Sequence, residues 1–245
     1  MLLTKDDPAP SLFGRGPDAA PLVLSCEHAG IAVPRALADL GLAREDLRDH
    51  IGWDPGALRL TESLSKRLEA PFVAQAYSRL AIDCNRPRCA PDLAAAWADK
   101  RPVPGNRDLS RDEIEARWRE IHQPFHAALA AHLPGRNGLL SIHSFTAKRQ
   151  ADAARREVEI GILARDENPL FQHLMQVLPE LHRGQVLANT PYAIDDVSDY
   201  TIPVHAESRN LPHALIEVRS DLLQDAGAVA RIADIFALAL KEYRR

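Results

Sequence analysis

The sequence predicts an α/β fold, a single three-layer α/β/α domain built on a mostly parallel mixed sheet. Three observations lead there. Short apolar runs alternate with longer stretches of helical periodicity, the pattern of βαβ units. The chain has 245 residues, enough for one large domain with a substantial core. Four apolar runs also stop abruptly at residues able to do chemistry. Val23-Leu24-Ser25-Cys26 runs into Glu27-His28, and Leu80-Ala81-Ile82 into Asp83-Cys84-Asn85-Arg86. Leu139 to Ile142 runs into His143-Ser144, and Ala214-Leu215-Ile216 into Glu217-Val218-Arg219. Open α/β sheets bind ligands beyond the carboxyl ends of their strands, so these endings mark one candidate rim.

Taken in order, residues 1–20 are rich in Pro, Asp and Gly and are expected as a loose arm, with the domain spanning 21–245. Pro21 to Cys26 is the first strand, and Ala36 to Leu47 a short helix. Trp53-Asp54-Pro55 then reads as a helix start, with Asp54 as N-cap and Pro55 in the first turn. The helix places Ala57, Leu60, Leu64 and Leu68 on one face. Phe72 to Ala76 and Leu80 to Ile82 read as strands, and residues 86–109, with four prolines after Arg86, as a long surface excursion. Ser110-Arg111-Asp112-Glu113 is a capping box that opens a long helix, with Pro124 expected to kink it. Strands follow at His143, at Val158 to Leu163 and at Gln185 to Ala188, with a helix over Pro169 to Leu178. A second polar excursion, 195–213, precedes the Glu217 strand, and Ala226 to Tyr243 closes the chain as an amphipathic helix.

Composition narrows the function classes. Hydrophobic content of 46% and charged content of 26% are ordinary for a globular protein. A net charge of −4, with no basic stripe, gives no reason to expect nucleic acid. No run approaches the roughly 18 apolar residues of a membrane span. The first residues lack the basic segment and apolar stretch of a signal peptide. Cys26, Cys84 and Cys89 are an odd count without metal-type spacing, so a reducing cytoplasm is the expected setting. There is no Walker A or GxGxxG pattern, and Ser25 and Ser144 lack nucleophile-elbow glycines.

His28 and His143, each at a strand end, are candidate ligands for one Zn²⁺, with another divalent metal as the alternative. A catalytic zinc takes three protein ligands and keeps one position open. The third ligand is Asp54, Glu27 or Asp83. Asp54 is favoured because Glu27 adjoins His28 on a strand and points to the opposite face, although an N-cap role for Asp54 remains open. Glu217 is the candidate general base. Asn85 and Arg86 offer an amide and a planar cation for a substrate carboxylate, with Arg107, Ser144 and His205 as further candidate substrate contacts. Arg79 and Arg209 are weaker anion-binding candidates. His122 and His126 have HxxxH spacing but lack the glutamate of HExxH, which points to packing or support of the site.

Ser141-Ile142-His143-Ser144-Phe145, Asp83-Cys84-Asn85-Arg86 and Ile216 to Asp221 resemble the zinc carboxypeptidase pattern, except that the third residue after His28 is Ile31 and no glutamate. From about Val23 to Leu223 the chain is more similar to the N-formylglutamate amidohydrolase family. The similarity rests on Cys26 to Gly30, Gly52 to Ala57, Ser78 to Pro87, His122 to His126, Ser141 to Ser144 and Glu217 to Arg219. Cys-Glu-His-Ala-Gly at 26–30 resembles a divergent branch of that family. The resemblance implies a phosphorylase/hydrolase-like fold related to zinc peptidases. It also implies hydrolysis of an N-acylated acidic amino acid, N-formyl-L-glutamate as the type substrate, in histidine breakdown. The alternatives are another N-acyl amino acid or a peptide carboxy end at the same metal site, or a metal-free module that binds a carboxylate.

Overall fold

Leu22, Leu24 and Cys26 face one side of a central sheet while Val23 between them faces the other, and this alternation sets the layers of the molecule. The computed structural model describes residues 1–150, 152–241 and 243. Its strands are β1 (Ser11–Gly14), β2 (Leu22–Cys26), β3 (Phe72–Gln75), the short hairpin β4 (Trp97–Ala98) and β5 (Arg101–Pro102), β6 (Gly138–Phe145), β7 (Ile160–Leu163), β8 (Val186–Ala188) and β9 (His213–Arg219). Seven of them form one sheet in the order β1-β3-β2-β6-β9-β7-β8. β3, β2, β6 and β9 run parallel, while β1 is antiparallel to β3 and β7 to β9. The helices are α1 (Arg44–Leu47), α2 (Ala57–Leu68), α3 (Arg111–Arg117), α4 (Gln123–His132), α5 (Pro169–Leu181) and α6 (Ala226–Leu240). No helix among the described residues is long and apolar enough to cross a membrane.

α2, α5 and α6 cover one face of the sheet, packing Leu60, Leu64, Leu174 and Phe236 on Leu24, Leu140 and Ile216. The opposite face receives Trp118, Ile121, Phe125 and Leu129 against Val23, Val73, Leu139 and Leu215. The sheet lies between two helical layers, the predicted α/β/α arrangement. β6 is buried along its whole length, as a central strand covered on both faces must be.

Several local expectations change. Residues 1–20 are not a loose arm: β1 pairs with β3, and the backbone N–H groups of Leu2 and Leu3 donate to Glu120 at 2.8 Å each. The pairing covers an edge of β3 that would otherwise expose a row of backbone donors and acceptors. Leu80 to Ile82 is a turn, with no strand. Its carbonyls are met by side chains, Leu80 O by Asn106 Nδ2 at 2.8 Å and Ala81 O by Arg117 Nη1 at 2.9 Å. The helix expected over Ala36 to Leu47 is broken by left-handed backbone at Ala38, Asp39 and Leu40, and only Arg44–Leu47 is α-helical. There Leu40 enters a small cluster with Leu47, Ile51 and Val103, and tertiary burial overrides helical propensity.

Ser110 and Glu113 form the expected capping box. The bend expected at Pro124 takes the form of a π-helical turn at Trp118–His122, between α3 and α4, with Gln123 N–H donating to Trp118 O. Pro124 has no N–H to continue the ladder, so the irregularity sits where a bond is lost anyway. α2 starts at Ala57 with Gly56 as its cap, in left-handed backbone at φ 88°, so Asp54 is not the N-cap. Its carboxylate is turned elsewhere.

Candidate active site

The carboxyl ends of β2, β6 and β9 meet the turns at 52–56 and 78–86, and a cavity of about 600 Å³ opens there. His143 and Glu217 are register partners on the adjacent parallel strands β6 and β9. Both line the cavity, as do His28, Asp54, Arg79, Asp83, Asn85, Arg86 and Ser144. Backbone bonds fix the first loop: Asp54 N–H donates to His28 O at 2.9 Å, and Arg79 N–H to Gly52 O at 3.1 Å.

One atom each from His28, Asp54 and His143 lies within 4.8 Å of the other two. His143 Nδ1 is 2.9 Å from Asp54 Oδ2 and 3.1 Å from His28 Nδ1, and His28 Nδ1 is 3.4 Å from Asp54 Oδ2. The far sides of the rings meet other carboxylates. His28 Nε2 is 2.7 Å from Asp83 Oδ1, and His143 Nε2 is 2.8 Å from Glu27 Oε2. A carboxylate accepts a proton bond from Nε2, which leaves the Nδ1 lone pair directed inward. With both rings neutral, two imidazole nitrogens and a carboxylate oxygen converge with no proton between them, an arrangement that calls for positive charge, either a metal ion or a proton on His143. Outer carboxylates behind ligating histidines are usual around zinc. The donor set fits a divalent metal ion.

The local charges favour positive charge at the same place, which without an ion is a proton on His143. Burial pulls His143 down, but Asp54 and Glu27 outweigh it and hold the ring well above its ordinary value. Burial pushes Asp54 and Asp83 up, yet His28 and His143 hold Asp54 low, while Arg79 and His28 hold Asp83 low. Glu27 is drawn down to about 2 against its burial, chiefly by His143. Glu217 behaves oppositely: burial raises it to about 8, with Asp54 adding and His143 and Arg79 opposing. Its Oε2 is buried and has no hydrogen-bond partner among the described residues. A buried carboxylate oxygen without a donor is costly, and such groups mark reactive positions.

The family model of N-formylglutamate amidohydrolase matches residues 20–224. The chain belongs to the N-formylglutamate amidohydrolase family. It is accordingly an amide-hydrolysing enzyme with the zinc-peptidase-like α/β fold. A crystal structure of a gene product from Agrobacterium tumefaciens is 31% identical, with a TM-score of 0.88 and 100% of both chains covered. The N-formylglutamate amidohydrolase of Ralstonia eutropha JMP134 is 21% identical, with a TM-score of 0.76, covering 97% of this chain and 98% of that one. A tripeptide-bound cell shape determinant protein of Helicobacter pylori reaches a TM-score of 0.50 at 12% identity, over 95% of this chain and 54% of that one. The last two likenesses concern the fold. A search of curated proteins gives no match.

In this amidohydrolase-family chain the residues singled out by sequence do not all reach the cavity. Arg107 is exposed and does not line it. His205 is buried away from it, with Nε2 2.9 Å from His126 Nδ1. Arg209 donates to Val204 O at 2.6 Å and also stays outside. Asn85 lines the cavity, but its amide is already engaged. Oδ1 accepts from Tyr200 and Thr201 N–H at 3.2 and 3.0 Å, and Nδ2 donates to Asp199 at 2.9 Å. Arg86 is braced by Asp92 at 2.8 Å and by Ser198 O. Ser144 donates its hydroxyl to Pro55 O at 2.8 Å, and its N–H to Asp54 Oδ2 at 3.2 Å.

Three lining residues carry more than sequence reasoning allowed. Arg79 reaches Asp83 at 2.7 Å and Asp54 at 3.5 Å and ties the two carboxylates together. Arg149 and Tyr192 come from loops distant in sequence. The Tyr192 hydroxyl accepts from Arg156 at 2.9 Å. Only the i, i+4 spacing of Arg79 and Asp83 offered a signal. For Arg149 and Tyr192 there was none.

Proposed function

We propose that the protein is a zinc-dependent amidohydrolase that removes the acyl group from an N-acylated acidic amino acid, with N-formyl-L-glutamate as the leading substrate. One observation carries this reading: Nδ1 of His28 and of His143 converge with Asp54 Oδ2 in the cavity that Glu217 also lines. His28, Asp54 and His143 would hold the ion. When bound, a divalent ion supplies Lewis acidity to the scissile carbonyl and lowers the pKa of the attacking water.

The chain's own residues do the rest. Glu217 takes a proton from water as its oxygen bonds to the carbonyl carbon, then passes that proton to the amine nitrogen as the C–N bond breaks. Products are the free carboxylate and the amine. Glu217 must be ionised to begin, and positive charge nearby favours that form against the burial that raises it. Asp83 and Glu27 keep the two rings oriented, and Arg79 holds Asp54 and Asp83 in register. Arg86 and Arg149, both lining the cavity, are two cations for the two carboxylates of an N-acylated acidic amino acid.

The test is release of formate and glutamate from N-formyl-L-glutamate by zinc-supplemented and chelator-treated protein. Glu217→Gln is expected to retain stoichiometric zinc while kcat falls about 10²–10⁴-fold, the usual worth of a general base. Turnover that survives chelation, or that survives in Glu217→Gln, would overturn the mechanism. Bound zinc without turnover of this substrate would keep the hydrolase and reject the substrate.

A second reading keeps the metal and base but takes a larger N-acyl amino acid or a peptide end. The cavity favours it: about 600 Å³ is in the range that encloses drug-sized ligands, and Trp97 stands 62% exposed in its lining. A role in histidine breakdown follows only if N-formyl-L-glutamate is the substrate. The three free cysteines support a reducing, cytoplasmic setting.

A further inference from the structure

His122 and His126 take no part in the site above, yet both end on its backbone. His122 Nε2 lies 3.1 Å from the carbonyl oxygen of Arg86, and His126 Nε2 lies 2.7 Å from that of Cys84. A carbonyl oxygen only accepts, so each ring carries its proton on Nε2. His126 Nδ1 is then an acceptor, and its neighbour at 2.9 Å, His205 Nε2, must donate to it. Nδ1 of His122 and Nδ1 of His205 remain as bare acceptors. In these three rings they are the nitrogens with no partner among the described residues. A single protonation pattern therefore satisfies every contact with all three histidines neutral. Burial works in the same direction, drawing His122 and His205 down to about 4 and His126 well below its ordinary value.

The rings also pack against one another and against two further aromatic side chains. Trp118 lies on His122 at 3.6 Å between centroids and 19° between planes, whereas His126 and His205 meet edge to edge and nearly coplanar, at 5.1 Å and 13°, as the hydrogen bond between them requires. Tyr200 presents itself to His122 and His126 at 4.9 and 4.6 Å. Both nitrogens of His126 are engaged by protein partners, so the HxxxH spacing is not used for a second metal.

The segment held by these rings is the turn that presents Arg86. It belongs to no strand, so no ladder stabilises it. Its carbonyls at 84 and 86 are held from the helix side, while the Asn85 side chain between them fastens to the backbone of Tyr200 and Thr201. We propose that His122 and His126, with His205 behind them, are positioning residues for substrate binding, fixing the 84–86 turn so that Arg86 meets the substrate carboxylate. This rests on the reading of Arg86 as the carboxylate anchor.

Two variants separate the donor from the ring. His122→Phe keeps a ring against Trp118 and removes the N–H donor, whereas His122→Gln keeps a donor without the ring. Steady-state kinetics with N-formyl-L-glutamate and deuterium exchange over residues 83–87 are measured on the zinc-loaded full chain. In His122→Phe, KM is expected to rise about tenfold, the effect of one lost hydrogen bond, with kcat nearly unchanged and exchange at Asn85 and Arg86 faster. His122→Gln is expected to restore both values most of the way. In an Arg86→Ala background, His122→Phe should raise KM no further.

Unchanged exchange and unchanged KM in His122→Phe would overturn the proposal, and so would an equal KM increase in the Arg86→Ala background. If Arg86→Ala alone leaves KM unaltered, the anchor reading fails and takes the proposal with it. Where the wild type does not turn over this substrate, the exchange still decides whether the histidine holds the turn.

Discussion

Glu27, Asp54 and Asp83 are three buried carboxylates in one site, and what separates them is the histidine atom each one meets. Asp54 lies on the inward Nδ1 side of both rings, whereas Asp83 and Glu27 lie behind them on Nε2. An outer carboxylate orients a ligand and raises its basicity, so its loss weakens metal binding without abolishing it. Asp83→Asn is therefore expected to lower zinc affinity about 10–100-fold and to recover kcat at saturating zinc. Asp54→Asn is expected to lose stoichiometric zinc altogether. Zinc titration of both variants checks the assignment, and the reverse result would exchange the two roles.

At the scale of elements, the approach to α2 is a tightly constrained piece of backbone in the site. Gly56 sits at φ 88°, and a Cβ there would lie 2.4 Å from Leu223 Cβ. Left-handed backbone costs an L-residue about 1–2 kcal/mol, and forced overpacking another 1–3. Gly56→Ala is expected to lose roughly 2–5 kcal/mol in urea unfolding, the sum of those two effects. Because Asp54 lies two residues earlier, zinc binding should weaken in the same variant. A loss below about 0.5 kcal/mol, the range of an ordinary surface substitution, would show that α2 can start without this turn.

For the whole molecule, the buried histidine cluster makes stability depend on pH. His122 and His205 have folded values near 4 against an ordinary 6.5. Between those values the unfolded chain binds protons that the folded chain does not, so stability present above about pH 6.5 is lost as pH falls toward 4. Glu217, raised to about 8, works the other way, since its folded form holds a proton that the unfolded chain releases. The histidine contribution is therefore read as a difference between proteins. His122→Phe is expected to flatten the slope of unfolding free energy between pH 6 and 5 by up to about 1.4 kcal/mol per pH unit. Identical slopes in variant and wild type would mean that His122 is not held neutral. Chelation provides a second global readout: a metal bound only by the folded chain raises the melting temperature, so its removal should lower it.

What the sequence determined by itself is what short-range pattern can encode. Continuous apolar runs placed β2, β6 and β9 with their chemical residues at the carboxyl ends, and the spacing of Leu60, Leu64 and Leu68 gave the buried face of α2. Burial of a periodic face is a local property, so it is written in local order. Tertiary structure decided which partner each polar group finds. Leu80 to Ile82 is apolar like a strand, but Asn106 and Arg117 satisfy its carbonyls from more than twenty residues away. The Asn85 amide is taken by the loop at 199–201, Arg107 and His205 stay outside the cavity, and Arg149 and Tyr192 enter it from distant loops. A hydrogen bond or ion pair is formed with whatever the fold brings within about 3 Å, and no periodicity along the chain records that neighbour.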